Sequence, residues 1–102
     1  MKLIGFDKDG SVWIGAVSAD GQVAPIAERE AFWRNPDFHM ADAKVGGAGL
    51  RLADVIERPA VPAGARVICI GLNYRNHAME GGGQVPTIPV IFGRWTASLI
   101  CD

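Results

Sequence analysis

The chain has 102 residues, 49% of them apolar and 21% charged, with ten Lys and Arg against eleven Asp and Glu. That length holds one small domain, and the apolar content is too high for a disordered chain. A net charge of −1 without any basic block speaks against nucleic acid and anionic membrane surfaces as partners.

The longest apolar runs, such as Val67 to Ile70 and Pro89 to Phe92, fall far short of the ~20 residues that span a bilayer. The segment from Met1 to Asp7 meets charge too early for a signal peptide. Cys69 and Cys101 are the two cysteines, which is neither a zinc pattern nor a disulfide framework. A reducing, cytoplasmic location is expected.

The first quarter reads as β structure. Lys2 to Phe6 is strand-like, and Ser11 to Ser18 alternates, with Val12, Ile14 and Ala16 on one face and Trp13, Gly15 and Val17 on the other. Asp9-Gly10 and Asp20-Gly21 are hairpin signals, so Gln22 to Ile26 closes a three-stranded antiparallel meander. From about Pro25 the period becomes helical, and Glu30 stands four residues before Arg34, the favourable order for an ion pair. Asn35-Pro36 stops that helix and starts a second, with Asn35 as N-cap and Pro36 at its first position, and Gly46-Gly47 ends it.

Between Leu50 and Pro62 the apolar residues are scattered and Pro59 and Pro62 form a Pro-x-x-Pro pair. This reads as a linker laid across a surface, with a boundary near residues 58–64. Arg66 to Gly71 carries a continuous apolar run, the pattern of a strand buried on both faces. Asn73 can cap a short helix over Tyr74 to Glu80, which Gly81-Gly82-Gly83 ends, and Val90 to Phe92 is a last strand. The expected fold class is α+β: a small N-terminal module of β-meander and helices over 1–60, then the start of a second domain over 61–102.

Three places offer candidate chemistry. Phe6-Asp7-Lys8-Asp9-Gly10-Ser11 resembles the Asp-x-Asp phosphatase loop of the haloacid dehalogenase superfamily. That loop needs both carboxylates at the end of a parallel strand that leads into a helix, whereas the residues that follow here alternate. A charged hairpin turn is the better reading. His39 and Asp42 share a helical i, i+3 relation but have no third ligand, so a solvated helix face is expected. His77 and Glu80 are also i and i+3 on the short helix. A carboxylate beside an imidazole raises its basicity and fixes its tautomer, which makes a general base.

The segment Val67-Ile68-Cys69-Ile70-Gly71-Leu72-Asn73-Tyr74-x-x-His77-Ala78-x-Glu80, followed by Pro89-Val90-Ile91-Phe92-Gly93-Arg94-Trp95-x-x-Ser98, resembles the fumarylacetoacetate hydrolase family. The resemblance covers roughly residues 55–102, with the earlier part compatible with the small N-terminal domain of bacterial two-domain members. It implies a mixed β-roll for the second domain, and a metal-dependent enzyme acting on 2-oxo or enol acids by C–C bond hydrolysis, decarboxylation or isomerisation. It further implies His77 and Glu80 as a catalytic lid dyad, and a homo-oligomer.

The same resemblance suggests Arg94, Tyr74 and Ser98 as substrate-binding residues. Arg94-Trp95 replaces the Lys-Pro of many members, which keeps the cation but gives it a forked geometry. Family members hold magnesium or manganese through a Glu-x-Glu pair and a later Asp downstream of the lid motif. After Phe92 the only carboxylate side chain is Asp102, so no metal site is expected within these residues. The chain is therefore expected to be the N-terminal piece of such an enzyme and inactive alone. A non-catalytic module for self-association or partner binding is the alternative.

Overall fold

The computed structural model describes residues 1–44, 49–71 and 88–101. It is mixed α+β, and the chain divides into two compact units, Met1–Ala63 with Leu99–Asp102, and Gly64–Ser98. In the first unit β1 (Lys2–Lys8), β2 (Ser11–Val17) and β3 (Gln22–Glu28) form the antiparallel meander. The β1–β2 loop is Asp9-Gly10, both at positive φ (50° and 81°), the conformation of a two-residue turn whose twist matches the flanking strands. The β2–β3 turn closes with Gly21 N–H donating to Ser18 O at 3.0 Å, and Gly21 takes a φ of 79°.

Strand β3 runs on to Glu28, and helix α1 begins only at Arg29, which corrects the expectation of a helix from Pro25. Pro25 pairs with Gly15 beside a register shift, and β4 reaches only Gln22 and Val23 along the other edge of β3. A residue without an N–H is tolerated at such a place. Helix α1 (Arg29–Arg34) is capped by the Glu28 carboxylate, which accepts from Ala31 N–H at 3.3 Å. Helix α2 (Pro36–Ala41) starts as read from sequence: Asn35 Oδ1 accepts from Phe38 N–H at 3.3 Å, with Pro36 in the first turn. Glu30 pairs with Arg29 at 3.2 Å and accepts from Ala63 N–H at 3.3 Å, rather than pairing with Arg34. Tertiary contact has overridden the weak i, i+4 preference.

The stretch read as a linker is part of the fold. It supplies β4 (Leu50–Arg51), a 3-10 turn over Leu52–Asp54 and β5 (Glu57–Arg58), giving a five-stranded sheet in the order β4-β3-β2-β1-β5. Scattered apolar residues suffice here because each edge strand has only two residues and three apolar side chains reach the core, while Ile56 stays exposed. Leu50, Leu52 and Val55 pack on the Ile4, Phe6 and Val23 cluster. The opposite cluster, Ile14, Ala27 and Phe32, receives Leu3, Ile26, Met40 and Ala60. Alternation along β1 and β2 sends Ile4, Phe6 and Trp13 to one side and Leu3 and Ile14 to the other, so the sheet has a covered apolar surface on both sides.

The tightest approach is at Gly5, where an added Cβ would lie 2.5 Å from Arg58 O and 2.9 Å from Pro59 O. Both obstacles are backbone, so the β1–β5 pairing itself has to move. Gly5→Ala is expected to destabilise this unit by about 1–3 kcal/mol, the usual range for overpacking. Urea unfolding followed by Trp fluorescence measures it, and an unchanged midpoint would refute the close packing of β5 on β1.

In the second unit, β6 (Val67–Gly71) and β7 (Val90–Arg94) pair antiparallel, Val67 opposite Arg94 and Gly71 opposite Val90. The continuous apolar run led to the expectation of a strand buried on both faces, which the structure corrects. Ile68 is 70% exposed, and Ile70 and Ile91 are exposed beside it. The other face of β6, with Val67, Cys69 and Gly71, is half-buried.

Candidate functional site

Tyr74, His77 and Glu80 lie outside the described residues. The described candidates are Arg94 and Ser98, both in the Gly64–Ser98 unit. Arg94 ends β7 directly opposite Val67, on the same side of the hairpin as Val90 and Phe92, because residues two apart on a strand share a face. It is exposed, and among the described residues it forms no ion pair. Its five guanidinium donors are therefore not engaged by a described carboxylate and suit a carboxylate or phosphate oxygen. The Phe92 ring leans over Gly71, whose added Cβ would meet Phe92 Cε1 at 3.3 Å. This gives the Arg94 side of the hairpin an apolar floor.

Ser98 has a local task. Its Oγ donates to Trp95 O at 2.7 Å and its N–H reaches the same carbonyl at 2.9 Å, closing the short 3-10 turn Thr96–Ser98. The hydroxyl proton is thus committed to the turn, and the oxygen retains acceptor capacity only. Arg94 and Ser98 are brought to one end of the hairpin by chain continuity.

The Asp7-Lys8-Asp9-Gly10 segment is a hairpin, as the alternation after it indicates. Asp9 and Gly10 form the turn, while Lys8 pairs with Asp9 and lies 4.5 Å from the centre of the Trp13 ring. Asp7 is held by Arg58 in a forked pair, Nη2 to Oδ2 at 2.7 Å and Nε to Oδ1 and Oδ2 at 3.0 and 2.9 Å. A forked ion pair fixes both side chains more firmly than a single contact. Its partners are 51 positions apart, and no local motif announces them.

The Arg58 hydrogen bonds hold the Asp7 carboxyl below its ordinary value of 3.8, against a smaller opposing effect of desolvation. A carboxylate with a depressed folded-state pKa stabilises the fold above its unfolded value, and that stabilisation disappears as pH falls through the folded value. Asp54, paired with Arg51, and Asp20, accepting from Ser18, are lowered in the same direction. Thermal stability is accordingly expected to drop as pH falls below about 4. Arg58→Met should flatten part of that acid limb. An identical pH profile in the variant would show that the pair contributes nothing.

A shallow depression of about 320 Å³ lies between β3 and α2, with Pro25, Ile26, Phe38, His39, Asp42 and Lys44 on its walls. His39 is stacked on Phe32, centroids 6.0 Å apart, and edge-on to Phe38 at 5.3 Å. His39 is thus half-buried against two rings rather than on the solvated helix face expected for it, while Asp42 is exposed. Among the described residues no polar or charged side chain is buried, so this depression has no dry, preorganised polar group. Among them, too, no three His, Cys, Asp or Glu side chains gather where they could hold a metal ion. The described residues therefore do not fit magnesium or manganese. Among the same residues, no helix is long and apolar enough to cross a membrane.

The chain is similar to bacterial proteins named "putative hydrolase". It is 35% identical to one from Burkholderia lata and to one from Burkholderia multivorans, and 34% identical to one from Burkholderia ambifaria. Each match covers 97% of this chain but 37% of the relative. The chain thus spans little more than a third of the length of the curated relatives it matches. No family model matches the sequence, and no solved structure matches it.

Proposed function

We propose that the chain is the N-terminal part of a metal-dependent hydrolase or lyase of the fumarylacetoacetate hydrolase family. In this reading the whole protein acts on small 2-oxo or enol acids, by C–C bond hydrolysis, decarboxylation or isomerisation. The observation that carries it is the Asn73-Tyr74-x-x-His77-x-x-Glu80 motif directly after β6, in a sequence whose relatives are named as hydrolases along 97% of its length. His77 is the proton-transfer group and Glu80 holds its tautomer, a division of labour that suits enolate chemistry. Arg94 supplies a forked cation for the substrate carboxylate, with Tyr74 and Ser98 as further polar contacts. In this reading magnesium or manganese would be held by the remainder of the whole protein and not by these residues.

The exposed apolar hairpin supports a larger assembly. Ile68, Ile70 and Ile91 present one uncharged face, and β7 offers an unpaired edge among the described residues. Exposed apolar faces and unpaired strand edges favour pairing with further strands or a second subunit. The same surface favours a second reading, a module for self-association, in which the chain is not catalytic.

One comparison separates the two readings. The 102-residue chain and a fusion of it to the unmatched remainder of the Burkholderia lata relative are assayed with acylpyruvates and oxaloacetate in magnesium. Turnover by the fusion and none by the chain alone is the expected result. An inactive but folded fusion would remove the enzymatic reading, and magnesium-dependent turnover by the chain alone would overturn the proposal that the site needs the remainder.

A further inference from the structure

We draw no further inference here: the strongest candidate, the exposed apolar face of the β6–β7 hairpin at Ile68, Ile70 and Ile91, already supports the reading above, and nothing in the structure shows what covers it.

Discussion

Phe6→Ala is expected to remove a large share of the stability of the Met1–Ala63 unit. Phe6 is 1% exposed and sits at the centre of the cluster with Ile4 and Val23. Its ring fills the space above Gly15, where an added Cβ would stand 2.8 Å from Phe6 Cε1 and 2.9 Å from Val23 Cγ1. Removing a buried aromatic ring costs about 3–5 kcal/mol, the lost transfer free energy plus the cavity left behind. Stability of roughly 0.05–0.15 kcal/mol per residue gives a unit of this size only about 3–9 kcal/mol in total. The loss is therefore comparable with the whole.

Denaturant unfolding followed by Trp fluorescence tests this, because Trp13 packs against the same cluster. Phe38→Ala is the control. Phe38 is 63% exposed, and its removal should shift stability by no more than about 0.5 kcal/mol. Equal effects of the two substitutions would show that the core is not centred on Phe6.

The second large effect concerns catalysis and rests on the proposed function. In the fusion protein, His77→Ala is expected to lower kcat by about 10²- to 10⁴-fold, the usual contribution of a positioned acid or base. KM should change little, since the imidazole acts in the transition state more than in substrate binding. Glu80→Gln should leave more activity and move the acid limb of kcat/KM to lower pH. Without the neighbouring carboxylate the imidazolium is less favoured, so His77 loses its proton at lower pH. Wild-type kcat in His77→Ala would eliminate the dyad. An unshifted acid limb in Glu80→Gln would reduce Glu80 to a bystander.

Much of the local structure was legible because it depends on local chemistry. Asp9-Gly10 supplies two residues that tolerate positive φ, and the structure places both there. Asn35-Pro36 carries a side-chain acceptor followed by a residue with no N–H to satisfy, and the second helix begins there. The first helix starts four residues after Pro25, because proline is compatible with both a first helical turn and a strand beside a register shift. Only pairing with β2 decides between them.

The candidate site was legible in a different way. His77, Glu80 and Tyr74 were found from a motif, and they lie outside the described residues. For Arg94 and Ser98 the structure adds what a motif cannot carry: the cross-strand neighbour of Arg94 and the committed hydroxyl proton of Ser98.

By itself the sequence determined the meander, the two turns and the second helix cap, since each is set by residues within a few positions of one another. Tertiary structure alone decided that Leu50 to Arg58 contributes two edge strands, that Asp7 belongs to Arg58, and that the Ile68 and Ile70 face of β6 is exposed rather than buried. These depend on which distant segment arrives to pair with a strand or cover its face. Burial is a property of neighbours, and 2.0-residue periodicity states which side chains share a face but not whether anything packs against it.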